Sequence, residues 1–335
     1  MVTKTESYER QVATAVSRAA EWLKNLLKVT EFVIFLVVIL LLVGGYLKNP
    51  NMLSEANLKI MTRDAAILAI AAMGVGFTII TAGIDLSVGS MVGFGGVMAA
   101  YFMMRSHLPI WMSVVMTLGL GALVGIVHGL FVTKLRMHGF LITLVTMGLA
   151  RGFILVITES FPITGLPRTF DRIGQGYLYD LIPIPVIICL AIGALGYFLL
   201  RYSYIGRQIY AAGGNVEAAR YSGVNVDRRI ILAYVISVLC AVTVGMIQAA
   251  RMSLGHPGTG EGYELLAIAA CIVGGYSLMG GEGTIPGALV GALLIGVLQN
   301  EMVILKINPY WHKIVIYMVL AVAITVDYAR RGRRT

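Results

Sequence analysis

Uncharged apolar runs separated by short polar or glycine-rich breaks recur along most of this chain from Phe32 onward. The runs are Phe32 to Leu47, Ala65 to Ile84, Leu86 to Met104, Leu108 to Thr133, Gly139 to Thr158, Leu181 to Leu200, Ile230 to Ala250, Leu265 to Gly281, Gly283 to Asn300 and Ile314 to Val326. Each is close to the twenty or so residues that an α-helix needs to cross a bilayer. The pattern predicts an all-α membrane protein, a polytopic bundle of about ten transmembrane helices. The last run is short and borrows Trp311, His312 and Tyr328 as interfacial anchors.

Residues 1–31 have a different pattern. Val12, Val16, Ala19, Leu23 and Leu26 recur at helical spacing, while Arg10, Arg18, Glu21, Lys24 and Lys28 take other faces. This predicts an amphipathic N-terminal helix, either lying in the membrane interface or packed on the protein body. The run after it lacks a small-x-small cleavage site and meets Lys48, Asn49 and Pro50, so it reads as a crossing and not a cleaved signal. The organisation expected is an amphipathic segment at 1–31, a transmembrane domain at 32–328 and a basic tail at 329–335.

Composition agrees with a membrane solvent: 58% of the 335 residues are hydrophobic and 13% are charged, with a mean hydropathy of +0.84. No separate soluble domain fits. The net charge of +9 does not imply nucleic acid, because its placement follows the membrane. With the N-terminus inside, sixteen Lys or Arg fall on the inner face and nine on the outer, with Arg151 inside a helix. Both termini are therefore expected to be cytoplasmic. Arg151 is read as snorkelling toward the outer surface, with a path-lining or acid-pairing role as the alternative. Cys189, Cys240 and Cys271 each lie inside an apolar run without CxxC spacing, and read as small core residues.

Two breaks are nearly loopless: Gly83-Ile84-Asp85 and Gly280-Gly281-Glu282-Gly283 each set an acid between glycine-rich apolar runs. A shift of 198 residues aligns 70–93 with 268–291 at nine of 24 positions, including Gly83/Gly281, Gly89/Gly287 and Gly93/Gly291. Both pairs run in the same direction, which points to a parallel internal repeat. Broken glycine-rich crossings belong where backbone lines a polar path, although close packing through small residues accounts for much of the glycine.

Within the first break, TAGIDLSVGS at 81–90 gathers Thr81, Asp85, Ser87 and Gly89. These residues, with Thr143 of the fifth crossing, are candidates for a translocation pathway or gate. A carboxylate at membrane depth is costly and usually faces an interior or a cavity with a partner. Asp85 as a helix cap at the membrane surface is the competing reading.

A long inner loop, 201–229, contains GRQIYAAGGNVEAARYSGVNVDRR at 206–229. Glu217-Ala218-Ala219 is followed after three residues by Gly223. Asn215 suits the cap of a helix beginning near Val216, Glu217 its positive end, and Gly223 its stop. This spacing resembles the EAA loop of ATP-binding-cassette permeases. With GIDLSVGS and IAACIVGGYSLMGGEGTIPGALVGALLIG at 268–296, the chain resembles permeases of the ribose, galactose and autoinducer-2 importer family from about residue 50 to its end. It departs from them at His138-Gly139-Phe140, where the family often has Pro-Phe, while Ile307-Asn308-Pro309-Tyr310-Trp311 looks closer to hexose permeases than to ribose ones.

The resemblance implies a permease subunit of a sugar importer in a bacterial inner membrane. Its partners would be an ATPase subunit, a second permease chain, identical or related, and an extracytoplasmic sugar-binding protein. Asn215, Glu217, Ala218, Ala219 and Gly223 would couple to the ATPase. ATP and magnesium would bind that partner, and this chain would hold no cofactor. No Gly-Lys dipeptide occurs, so no GxxxxGK[ST] phosphate loop is present. The histidines form no HExxH pair, so a metalloprotease is not indicated, and His128 reads as a satisfied helix contact. An intramembrane acid protease fits poorly, because no GxGD element occurs and Asp180 lies in an outer loop. The remaining alternative is an ion-coupled secondary transporter with Asp85 as the titrating group.

Overall fold

The computed structural model describes residues 30–331. The amphipathic segment read at 1–31 falls outside it except for its last two residues. Thirteen α-helices account for the described chain, with four two-residue strands. Ten helices are apolar and follow the runs in the sequence: α1 Thr30–Lys48, α2 Glu55–Ile80, α3 Val88–Met104, α4 Ile110–Lys134, α5 Gly139–Thr158, α7 Ile184–Tyr202, α10 Val226–Met252, α11 Tyr263–Val273, α12 Ile285–Ile304 and α13 Pro309–Arg331. Seven of these are long and apolar enough to cross a membrane, while α3, α11 and the apolar part of α13 are shorter. The chain is an all-α polytopic membrane protein.

Three helices depart from their apolar windows. α2 begins at Glu55, ten residues before the run that announced it, because Ser54 accepts the Asn57 N–H at 3.4 Å and starts the helix in polar sequence. α11 ends at Val273, so residues 274–284 are irregular where the apolar run continued. α13 carries helix to Arg331, into the segment read as a basic tail.

α2, α3 and α10 form the centre, and their residues are buried on nearly every side. α1, α4, α5 and α7 turn broad apolar faces outward, as helices facing lipid do. Small residues bring the backbones together. Gly121, Gly125 and Gly129 form a stripe on α4 against Val242, Val235 and Ile231 of α10. Gly245 of α10 abuts the Val92 carbonyl of α3 so closely that a Cβ would lie 2.0 Å from it. A reciprocal amide pair, Asn57 with Asn300 at 2.8 and 2.9 Å, ties α2 to α12.

The connections separate to two ends. The ribbon end carries β1 (Ile163–Thr164) paired with β4 (Leu254–Gly255), β2 (Tyr177–Leu178) paired with β3 (Ile182–Pro183), and α6 (Arg168–Gln175). There Arg63 donates to the Tyr177 hydroxyl and Arg251 pairs with Asp64. The loop end carries α8 (Tyr204–Gly214), α9 (Val216–Tyr221) and both glycine-rich joints. The shift of 198 residues carries α3 onto 286–302, inside α12, and residues 65–75 of α2 onto α11. Chain preceding α11 is non-helical, mostly turns, where its counterpart in α2 is helical.

Candidate functional site

The first joint, residues 81–87, is a buried turn held from three helices. α2 stops at Ile80; Ala82 takes a left-handed conformation (φ 58°), and the Gly83 N–H donates to the Thr78 carbonyl at 2.8 Å. Thr81 donates its hydroxyl to the same carbonyl at 2.9 Å. The Asp85 side chain is fully buried. One carboxylate oxygen accepts the Ser87 N–H at 2.9 Å and the Ser87 hydroxyl at 2.6 Å, and the other accepts the Ser237 hydroxyl of α10 at 2.7 Å. Asp85 thus closes a turn just before α3, buried inside the bundle with a partner on α10, and does not cap that helix at a surface. Thr143 of α5 completes the clamp, with its hydroxyl accepting the Leu86 N–H at 3.1 Å and within reach of the Ile84 carbonyl at 3.3 Å.

Beside this joint lie two buried rings. His128 of α4 shares a 2.8 Å hydrogen bond with Thr146 of α5 through Nε2, while Nδ1 has no protein partner. His128 stands edge-on to Tyr234 of α10, whose hydroxyl sits against Gly83 and Gly139.

The second joint, residues 274–284, needs glycine: Gly275, Gly280, Gly281 and Gly283 have φ of 90°, 87°, 74° and 146°. It meets the first directly, because the Gly281 N–H donates to the Ile80 carbonyl at 2.8 Å. The end of α8 fits between them. A Cβ on Gly213 would lie 1.7 Å from the Ile80 oxygen, and one on Gly280 would lie 2.7 Å from the Gly213 oxygen. The Tyr210 hydroxyl of α8 donates to the Gly283 carbonyl at 2.6 Å. Burial raises the Tyr210 phenol above its ordinary pKa, and Arg201 opposes that shift.

From Gly214 the chain turns into α9, the six-residue helix that the sequence placed there. Asn215 accepts the Ala218 N–H at 2.9 Å as the cap, and Glu217 lies exposed in the first turn. Ala219 packs against Ala212 and Val226. Gly223 ends the helix at φ 79°, its N–H donating to the Arg220 carbonyl. Asp227 links the loop to α4, pairing with Arg220 at 3.1 Å and with Lys134 at 3.0 Å. Beside α9 an open recess is lined by Lys134, Arg136, Arg220, Gly223 and Asp227.

One break was not singled out from the sequence. Between α10 and α11 the chain does not stay at the ribbon end. It runs down the side of α3, as strand at Leu254–Gly255 and then as a series of turns: Gly255 lies against Ala100 and Gly96, Thr259 against Gly93, and Gly260 against Gly89 and Val92. That descent follows roughly 16 Å of helix at about 1.5 Å per residue. Only then does α11 begin. Arg151 of α5 holds the segment, donating to the carbonyls of Pro257 at 2.5 Å, Thr259 at 3.0 Å and Gly89 at 3.4 Å. The expected snorkelling toward the outer surface is thus corrected. Two carbonyls of the broken crossing, with that of Gly89 in α3, draw the guanidinium inward. The signal was present as Gly255, Gly258, Gly260 and Gly262 at near-alternate positions, a spacing that no apolar helix uses. Gly89, expected beside a pathway, receives this segment. The Glu264 carboxylate occupies the place where its Cβ would be, at 1.9 Å.

Residues 57–324 match the family described as branched-chain amino acid transport system, permease component. The chain belongs to this permease family. Among the permease's relatives, the ribose import permease protein RbsC of Haemophilus influenzae is 39% identical over 297 residues, covering 88% of this chain and 91% of that protein. The D-allose transport system permease protein AlsC of Escherichia coli is 32% identical over 293 residues, covering 88% and 90%. The xylose transport system permease protein XylH of Escherichia coli is 30% identical, covering 99% and 100%. No solved structure matches the permease.

Proposed function

We propose that this permease is the membrane subunit of an ATP-binding-cassette importer that moves a monosaccharide inward across a bacterial inner membrane. A separate ATPase would drive it, a second permease chain would complete the path, and an extracytoplasmic binding protein would deliver the sugar. The observation that carries this reading is the continuity of α9, α8 and the two joints. A short capped helix stands at one end of the bundle, and the helix before it is wedged by Gly213 and Tyr210 between the two points where crossings break. A push on α9 has a rigid route to α2, α3, α11 and α12. The relatives' names supply the substrate class, since they include pentose and hexose permeases.

In this reading α9, through Asn215, Glu217, Ala218, Ala219 and Gly223, docks on the ATPase, which binds ATP and magnesium. Asp85, Ser87, Thr81 and Thr143 act as the hinge of a gate, because their polar atoms are engaged in holding the first joint. In this reading the loop end and both termini lie in the cytoplasm, which the excess of Lys and Arg on that face favours. An importer of neutral sugars needs no titrating carboxylate, and the burial of Asp85 among three hydroxyl and amide donors supports a structural role.

The test is co-purification of the permease with its ATPase, followed by ATP hydrolysis measured with the binding protein across a panel of pentoses and hexoses. Hydrolysis stimulated by one loaded binding protein is expected. A permease that takes up sugar alone, driven by an ion gradient, would replace this reading with a secondary transporter.

A further inference from the structure

Three charged groups that neither the joints nor the loop employs lie where the crossing between α10 and α11 breaks: Arg151, Glu261 and Glu264. Arg151 is partly exposed, Glu264 is partly exposed against Gly89, and Glu261 is exposed on the same turn. The turn is level with Gly89 and Val92, well inside the bundle. A charge at that depth is costly in hydrocarbon. Non-helical backbone is likewise tolerated at membrane depth only inside protein or beside water. The segment 257–262 meets the first condition on its α3 side through Gly93, Val92 and Gly89, and its other side exposes Glu261, a charge that calls for water there.

Resting on the permease reading above, we propose that Glu261, Glu264 and Arg151 form a polyol contact in the permeation path at this break. The chemistry fits a neutral sugar. Carboxylates accept hydroxyl protons, a guanidinium donates to hydroxyl oxygens, and such charge-assisted bonds are the strong ones. Arg151 is already fixed by three carbonyls, so it presents its remaining donors without a cost in side-chain order. Gly89 is required on the opposite wall, because any side chain there would displace the Glu264 carboxylate. The broken crossing thus supplies a contact ladder beside which a sugar passes, with affinity left to the delivery protein.

The complete importer in proteoliposomes tests this. Cys189, Cys240 and Cys271 are buried, so a Glu261→Cys variant places one accessible thiol in the full chain. A membrane-impermeant maleimide is expected to label it, more slowly when the transported monosaccharide, its binding protein and ATP are present. Glu264→Gln and Glu261→Gln are expected to lower uptake by roughly tenfold, the loss of one charge-assisted bond, and to change the ratio of pentose to hexose uptake. Labelling only by a lipid-soluble reagent, or an unchanged sugar ratio in both Gln variants, would overturn the proposal. Uptake dependent on a sodium or proton gradient and abolished in the Gln variants would make the cluster a cation site instead. Each variant is first checked for unchanged size-exclusion elution. Glu261 is exposed, so its substitution disturbs packing least and keeps the labelling arm decisive. If the parent importer shows no ATP hydrolysis with loaded binding protein, the permease reading fails separately, while the labelling result still reports whether the face is wet.

Discussion

Tyr210 and Gly283 join two segments that lie far apart in the chain: the hydroxyl on α8 donates to the carbonyl of the second joint at 2.6 Å. Gly283 holds a φ of 146°, so the joint's path depends on a residue without a side chain, and the tyrosine is its anchor to the loop. Tyr210→Phe keeps the ring and removes the bond. The expected outcome is sugar uptake reduced severalfold per ATP hydrolysed, with a melting temperature little changed, since one net hydrogen bond is worth about 1 kcal/mol. Parallel assays of uptake and hydrolysis in the same vesicles measure the ratio. A proportional fall in both would assign Tyr210 to folding alone.

Asp85 offers a graded series. Its two carboxylate oxygens serve Ser87 on one side and Ser237 on the other. Asp85→Ala leaves the Ser87 N–H and the Ser87 and Ser237 hydroxyls buried without this acceptor, at about 1–3 kcal/mol for each buried group that stays unsatisfied. Asp85→Asn keeps one acceptor oxygen and is expected to be milder, and Ser237→Ala milder still, near 1 kcal/mol. Thermal unfolding in detergent orders the three. A titrating role for Asp85 predicts a different order, with Asn as damaging to uptake as Ala.

The loop helix makes a prediction separable from the membrane fold. Asn215→Ala removes the cap of α9, at about 1 kcal/mol. Gly223→Ala forces an L side chain into a left-handed stop, at roughly 1–2 kcal/mol. Neither position faces lipid, and a Cβ at Gly223 meets no neighbour within 4 Å. Capture of the ATPase by purified permease is therefore expected to weaken in both variants, while the melting temperature of the bundle stays close to that of the parent. Equal capture would remove α9 from the coupling surface.

Much of this arrangement was legible in the sequence, and the rest was hidden for identifiable reasons. The apolar runs located ten helices because membrane depth forces apolar length. The cap at Asn215 and the stop at Gly223 were legible because both act within a few residues of themselves. The start of α2 was not, because Glu55, Asn57, Lys59 and Asp64 look like loop until Ser54 is seen to cap them. The link from Asp85 to Ser237 crosses 152 positions of chain, and that from Tyr210 to Gly283 crosses 73; no local pattern carries either. Arg151 misled the reading because charge alone suggests a route to water. Its actual partners are backbone carbonyls that only the broken crossing exposes.

The glycines separate into those that admit a neighbour and those that do not, and a pair of substitutions tells them apart. At Gly245 a Cβ would lie 2.0 Å from the Val92 oxygen and 2.8 Å from the Gly96 nitrogen, both backbone atoms of α3, which cannot swing away as a side chain would. Gly245→Ala must push α3 from α10, and overpacking of this kind costs about 1–3 kcal/mol or more. Because α3 also carries Gly89 and Gly93, the displacement would reach the segment that Arg151 holds. At Gly148 of α5 nothing lies within 4 Å. Gly148→Ala is expected to be neutral or stabilising by up to about 1 kcal/mol, from helix propensity alone. The melting temperature is expected to fall by several degrees in Gly245→Ala and to stay level or rise slightly in Gly148→Ala, with uptake lost only in Gly245→Ala. A melting temperature for Gly245→Ala equal to the parent's would mean that α3 and α10 do not touch as described.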